Sequence, residues 1–75
     1  MKSIINGLLY DTDISELIYM DKYKGRIYYK TPNNNYFVLY GTGEIVPTIE
    51  DNIKDILGKN DIEKYIELFG KVKEA

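Results

Sequence analysis

The 75-residue sequence contains no cysteine, no histidine and no tryptophan. Without cysteine the chain has no disulfide bonds and no thiolate ligands, and without histidine it has no imidazole ligand or base. Zinc sites and catalysis by Ser-His or Cys-His pairs are therefore excluded. We expect a protein that is not an enzyme and that needs neither a metal nor a cofactor.

Long hydrophobic runs are also missing. No stretch of about 18 apolar residues is present to span a membrane, and the apolar run at Ile4-Ile5 is too short for a signal peptide. A chain this short buries only ~60–65% of its unfolded surface, which leaves room for one core. We expect one cytoplasmic domain over residues 1–75, with no membrane contact.

The charge of the chain is close to balanced but unevenly distributed. A formal net charge of −2 favours neither a nucleic-acid-binding protein nor an acidic mimic of DNA. Residues 22–41 contain four cations and no acid, whereas residues 44–75 contain eight acids and five lysines. The sequence therefore predicts a basic sheet and an acidic C-terminal part.

Aromatic and β-branched residues predict an antiparallel meander. The segments 26–31 and 36–41 flank Pro32-Asn33-Asn34-Asn35, whose residues favour a tight turn, and a third strand over 17–23 precedes them. At the N-terminus, Asn6-Gly7 predicts a second hairpin, with strands over 3–5 and 8–10.

The predicted turns determine which side chains share a face. A two-residue turn at Lys24-Gly25 pairs Tyr23 with Arg26, and a turn at Asn33-Asn34 pairs Thr31 with Tyr36. The face expected to form the core then holds Ile18, Met20, Ile27, Tyr29, Val38 and Tyr40. The opposite, amphipathic face holds Leu17, Tyr19, Asp21, Tyr23, Arg26, Tyr28, Lys30, Phe37 and Leu39.

Two short amphipathic helices are predicted after the sheet. Thr48 is expected to cap the first helix and Gly58 to end it, and Asn60 is expected to cap the second, which ends at Gly70. The predicted fold is therefore α+β, with both helices packed on one sheet face. We expect Ile53, Leu57, Ile62, Ile66 and Phe69 to be buried there, and Phe69→Ala to cost ~3–5 kcal/mol.

Two motifs contain residue types that occur in ligand sites. Asp11-x-Asp13 together with Glu16 has oxygen ligands suited to a hard cation, but a capped helical turn at 13–16 is the favoured interpretation. Gly41-Thr42-Gly43 has the flexibility of a phosphate loop but lacks a following Lys-Ser/Thr and helix. Neither motif predicts a metal or phosphate site.

The amphipathic face is the main candidate for binding. It carries aromatic side chains among basic ones, and the candidate residues are Tyr19, Tyr23, Arg26, Tyr28, Lys30 and Phe37. Three interpretations stay open: aromatic pairs that only stabilise the sheet, a protein interface, and a stacking surface for single-stranded nucleic acid. Of the two binding interpretations, the protein interface is favoured over nucleic acid.

Four motifs, in order along nearly the whole chain, resemble a family of small proteins carried by phages, plasmids and other mobile elements of low-GC Gram-positive bacteria. The motifs are Ile5-Asn6-Gly7-x-x-Tyr10-Asp11-Thr12, Tyr29-Lys30-Thr31 with Tyr36-Phe37-Val38-Leu39-Tyr40-Gly41-Thr42-Gly43, Ile45-x-Pro47-Thr48, and Tyr65-x-x-Leu68-Phe69-Gly70-x-Val72. Between Gly43 and Ile45 the chain is shorter than in similar proteins, which tend to carry a longer Gly-rich loop.

The resemblance implies a function in the conflict between mobile elements and their hosts. Some such proteins are regarded as inhibitors of host defence, including anti-CRISPR proteins. The implied partner is therefore a host protein, such as a CRISPR effector nuclease. We also expect weak self-association, either through an apolar patch that includes Phe37 and Leu39 or through edge pairing of the strand at 36–40.

Overall fold

The computed structural model describes residues 1–75 and contains six strands followed by two helices. The elements are β1 (Lys2–Ile5), β2 (Leu8–Asp11), β3 (Glu16–Asp21), β4 (Arg26–Lys30), β5 (Tyr36–Tyr40), β6 (Ile45–Thr48), α1 (Glu50–Asn60) and α2 (Ile62–Phe69). Strands β1 and β2 form a hairpin, and β3 to β6 form an antiparallel sheet in sequence order. The predicted α+β class is confirmed, and β6 adds a fourth strand to the predicted three-stranded meander.

The turn between β3 and β4 is longer than predicted. Asp21 pairs with Arg26, because the Asp21 carboxylate accepts hydrogen bonds from the backbone N–H groups of Tyr23 and Lys24, each at 3.1 Å. These bonds stabilise a turn over residues 22–25, with Gly25 at φ +65°. The predicted pairing of Tyr23 with Arg26 is therefore wrong, and Tyr23 lies in the turn instead of in a strand.

The turn between β4 and β5 shifts the register by one residue. The Thr31 hydroxyl accepts a hydrogen bond from the Asn35 N–H at 3.0 Å, and the Thr31 N–H donates to the Asn35 carbonyl at 2.7 Å. Residues 31–35 thus form the loop, and Tyr36 pairs with Lys30 instead of Thr31. A shift of one residue moves every side chain to the other face.

The helices pack on the face that carries Tyr28 and Val38. A core of buried side chains on this face also includes Ile18, Ile53 and Leu57. The predicted core face is correct for Ile18 and Val38 but wrong for Met20, Ile27 and Tyr29, which lie on the opposite face. A β-bulge between Leu17 and Tyr19 places Ile18 in this core.

The opposite face is partly covered by the N-terminal hairpin. Phe37 has no exposed surface, because its ring stacks on Tyr29 at 5.1 Å and meets the edge of Tyr10 at 5.6 Å. The predicted register required Phe37 and Leu39 to share a face with Tyr28. In the structure they lie on the opposite face. The sheet is covered on one side by two helices and, over part of the other side, by the hairpin.

The helix boundaries differ from the predicted ones by a few residues. Helix α1 continues through Gly58 to Asn60, and its N-cap residue Ile49 makes no side-chain capping bond. The Thr48 hydroxyl instead accepts a hydrogen bond from the Asn52 amide at 2.9 Å. Asp61 caps α2 by accepting from the Lys64 N–H, and Gly70 follows the last turn at φ +91°, as expected.

The apolar stripe of α2 is rotated relative to the prediction. Tyr65, Leu68 and Phe69 pack against the core, whereas Ile62 and Ile66 are exposed. Phe69 is only half-buried, so its truncation is expected to cost less than the fully buried limit. The predicted burial of Ile62 and Ile66 is therefore wrong.

Lys64 joins α2 to the first residue of β3. Its ammonium lies 2.6 Å from carboxylate oxygens of both Glu16 and Glu67, and these hydrogen bonds raise the pKa of Lys64. Burial, with a smaller effect of Glu50, raises the pKa of the Tyr36 phenol as well. In both cases folding favours the protonated form over the deprotonated one.

We expect the protein to lose stability in alkali. A group whose pKa is raised on folding stabilises the folded protein fully at pH values below its unfolded pKa, here 10.0 for Tyr36 and 10.5 for Lys64. This contribution to stability is lost as the pH rises through the folded pKa. Urea unfolding between pH 8 and pH 12 should show a decline that begins near pH 10, the ordinary tyrosine value. The double variant Tyr36→Phe with Lys64→Met should show a flatter decline, and an equal decline in the variant would contradict this assignment.

Candidate functional site

The six candidate binding residues do not form one exposed face. Tyr28 is buried beneath the helices and Phe37 is buried beneath the hairpin, on the other side of the sheet. The one-residue register shift separates them, because it moves Phe37 to the face of Tyr29. These two rings stabilise the fold and cannot contact a partner directly.

The other four candidate residues lie at three places. Tyr19 is half-buried against the ring of Tyr28 at 6.3 Å, and Lys30 lies at the far end of β4. Tyr23 is fully exposed in the turn, and the Arg26 guanidinium lies 5.2 Å above the ring of Tyr40. Of these four residues, only Tyr23 and Arg26 lie in or next to the same turn, at the end of the sheet where β3 turns into β4.

An apolar cleft of about 350 Å³ lies beside this turn. Its apolar lining comes from Met1, Met20, Ile27, Leu39 and Tyr40. Its remaining lining consists of Asp21, Lys22, Arg26 and the glycines of two turns. Met20 and Leu39 lie on either side of Ile27, on the sheet face that the hairpin covers at its other end. We call this cleft together with residues 22–26 the turn-cleft surface.

The turn of the turn-cleft surface carries three cations and follows directly after an acid, Asp21. Lys22, Lys24 and Arg26 make no ion pair, because the ion pairs of the protein involve Lys54, Lys59 and Lys64. The nearest acid, Asp21, uses one carboxylate oxygen to accept two backbone hydrogen bonds of the turn. Lys22 and Asp21 thus lie at the apolar cleft, whereas Lys24 lines a second cleft and the Arg26 guanidinium lies over Tyr40, both on the face that the helices cover.

The two ligand motifs serve structural purposes. The Asp11 carboxylate accepts a hydrogen bond from the Asp13 N–H at 3.0 Å, and residues 12–15 form turns instead of the expected helical turn. Among His, Cys, Asp and Glu side chains, no group of three or more is arranged to hold a metal ion. Gly43 donates its N–H to the Tyr40 carbonyl at 2.8 Å, so residues 41–43 form the turn between β5 and β6.

The apolar lining of the cleft was missed in the sequence interpretation. Met20 and Ile27 were assigned to the core because the predicted register placed them under the helices. A signal for the correct turn was present, since an aspartate at the start of a turn commonly accepts bonds from the backbone two residues on. Asp21 before Lys22-Tyr23-Lys24-Gly25 fits that pattern.

None of the helices is long and apolar enough to cross a membrane. Comparisons of the chain with models of known families, with curated proteins and with solved structures find no match.

Proposed function

We propose that this protein is a non-enzymatic binding protein, encoded by a mobile element, that inhibits a host defence protein through protein contacts in the host cytoplasm. The proposed target is a CRISPR effector nuclease, as the family resemblance implies. The observation that carries the proposal is the turn-cleft surface, where exposed apolar side chains lie next to Lys22 and the exposed ring of Tyr23.

The composition of this surface matches that of protein interfaces. The centre of an interface is enriched in methionine, aromatic residues and arginine, and all three types are present here in Met20, Tyr23 and Arg26. Methionine side chains are flexible and adapt to the shape of a partner. Continuous apolar surface on a small protein commonly marks an interaction site.

Other exposed apolar pairs lack this arrangement. Ile4 and Leu9 lie opposite each other on the outer face of the hairpin, next to the pair formed by Lys2 and Asp11, which carries both signs of charge. Ile62 and Ile66 are exposed one turn apart on α2. Ile4 and Leu9 also line a cleft, but its four lining residues include neither an aromatic residue nor an arginine, and we therefore assign binding to the turn-cleft surface.

The proposal is tested by binding to a panel of purified CRISPR effector nucleases, with target cleavage as the second readout. We expect one effector to bind and to lose cleavage activity in the presence of the protein. Met20→Ala with Arg26→Ala should weaken binding by about 10-fold or more, because interface anchors of this type cost over about 1 kcal/mol each when truncated. Calorimetry gives the affinities.

Leu8→Ala is the matched control, since Leu8 is 50% exposed and Met20 is 45% exposed. Leu8→Ala should leave both binding and inhibition unchanged. If no effector in the panel binds the protein, the proposed target class is contradicted. Equal binding by the double variant and the parent protein would contradict the assigned surface.

Binding of single-stranded nucleic acid is the second candidate function, and the exposed Tyr23 among Lys22, Lys24 and Arg26 favours it. Stacking on other candidate rings is less supported, because Tyr28 and Phe37 are buried. Titration of a labelled oligonucleotide at low salt tests this function. Phosphate contacts would make the affinity fall with salt at a slope of about −0.7 per contact.

A further inference from the structure

We infer that the second cleft, between helix α1 and the sheet, binds a small organic anion through the Arg26 guanidinium, the Lys24 ammonium and the Tyr28 hydroxyl. This cleft has a volume of about 240 Å³, and most of its exposed lining is polar. It lies on the face that the helices cover, whereas Met20 at the apolar cleft lies on the opposite face. The inference therefore goes beyond the proposed function and concerns a different ligand.

Arg26 contributes a cation that has no acidic partner within the protein. Its side chain is partly buried, and its guanidinium lies 5.2 Å from the centre of the Tyr40 ring. The ion pairs of the protein involve Lys54, Lys59 and Lys64 instead. Arginine side chains that are withdrawn from water are normally paired, and the planar guanidinium binds a carboxylate or phosphate group through two parallel hydrogen bonds. Arg26 thus favours an oxyanion as the ligand.

The Tyr28 hydroxyl is a second donor in the same cleft. Tyr28 is 4% exposed, and its hydroxyl makes no hydrogen bond within the protein. No buried side-chain oxygen lacks a partner, so this hydroxyl belongs to the small part of Tyr28 that reaches the surface, where the residue lines the cleft. Arg26 and Tyr28 are two residues apart on β4 and therefore share a sheet face. Both can donate to the oxygens of one anion.

The charges of the cleft favour an anion over a cation. Lys24 lines the cleft and makes no ion pair, so that it and Arg26 supply two unpaired positive charges. The acid in the lining, Asp55, is paired with the Lys59 ammonium at 3.2 Å. The net field in the cleft is therefore positive and attracts an anion.

The size of the cleft limits the ligand to a compact molecule. Its volume lies below the range for drug-sized ligands, about 300–1,000 Å³. Apolar side chains from β5, β6 and α1, namely Val38, Val46 and Ile56, complete the lining. The ligand class is therefore a carboxylate or phosphate group on a small apolar body.

The test is a titration of the isotope-labelled protein with benzoate, phenyl phosphate and neutral benzamide, followed through the amide chemical shifts in NMR spectra. The three probes share a benzene ring and differ in the polar group. We expect an anion to bind with shift changes concentrated in residues 24–28 and 46–56, and benzamide to bind at least about 10-fold more weakly, because it lacks the charge that pairs with Arg26. The tighter of the two anions identifies the ligand group as a carboxylate or a phosphate.

Two matched pairs of variants test the residues. Tyr28→Phe removes only the hydroxyl and should weaken anion binding by about 10-fold, because a hydrogen bond to a charged group is lost. Tyr29→Phe makes the same change on the opposite face and should have no effect on it. Lys24→Met should weaken binding by about 3-fold, as expected for an exposed charge, whereas Lys22→Met at the apolar cleft should have a smaller effect.

Several results would overturn the inference. One is the failure of both anions to bind, and another is binding of benzamide as tight as that of the anions. Equal effects of Tyr28→Phe and Tyr29→Phe, or shift changes centred outside the cleft, would also remove it. The proposed function would be unaffected by these results, because it is tested through effector binding and the contribution of Met20.

Discussion

Phe37→Ala is expected to lower the free energy of unfolding by about 3–5 kcal/mol, the usual cost of truncating a fully buried phenylalanine. Phe37 has no exposed surface, and its ring lies between Tyr29 in the sheet and Tyr10 in the N-terminal hairpin. Its removal would therefore leave a cavity and release the hairpin from the sheet. For a chain of this length the total stability is roughly 4–11 kcal/mol, so the variant is expected to be largely destabilised.

Phe69→Ala is the control for this prediction, because it removes the same side chain from a half-buried position. Phe69 contacts the rings of Tyr36 and Tyr65, and the Lys54 ammonium lies 5.2 Å above it. Urea unfolding should give a clearly smaller loss for Phe69→Ala than for Phe37→Ala. The reverse order would mean that the hairpin does not cover the sheet as described.

Leu57→Ala is the second substitution expected to have a large effect. Leu57 has no exposed surface and lies with Ile53 in the core between α1 and the sheet. Truncation of a buried leucine costs about 2–5 kcal/mol, with the spread set by how far the cavity collapses. Thermal and urea unfolding should both show this loss, without a change in helix content before unfolding.

The matched control for Leu57→Ala is Ile62→Ala on the neighbouring helix. Ile62 is 63% exposed, although the apolar spacing predicted that it would be buried. The control should change the free energy of unfolding by no more than about 0.5 kcal/mol, as for other exposed positions. A loss comparable to that of Leu57→Ala would restore the predicted stripe and contradict the observed rotation of α2.

The strands and helices could be predicted from the sequence because their signals are local. Asn6-Gly7 correctly marks the first hairpin, where Asn6 and Gly7 take positive φ angles of 52° and 76°. Ile53 and Leu57 correctly mark the buried side of α1, because they are four residues apart on one helical face. These features depend on spacing within a few residues.

The sheet register could not be derived in the same way. It depends on whether a turn uses two residues or more, and short side-chain bonds from Asp21 and Thr31 favour the longer loops. A difference of one residue at the second turn moved Phe37 away from Tyr28 and divided the predicted binding face. The bulge at Ile18 further displaced β3, and no residue type in that strand marks its position.

The same turn geometry explains why the candidate site was only partly predicted. Tyr23 and Arg26 remain in the turn-cleft surface because they lie in or next to the turn, whatever the register of the strands. The strand at 36–40, expected to pair at an edge with a second copy, lies between β4 and β6 and has no free edge. Phe37 is buried and cannot contribute to the predicted apolar patch, so weak self-association remains a prediction only for a patch that includes Leu39.

The most direct test of the proposed function is a map of the surface that a bound effector nuclease protects. Amide hydrogen exchange should be measured on the protein alone and in complex with the effector identified in the binding panel. Added protection is expected to be concentrated in residues 20–27 and 39–43, which contain the β3–β4 turn and the residues around the cleft. Added protection centred instead on α2 around Ile62 and Ile66, or on the hairpin around Ile4 and Leu9, would contradict this expectation.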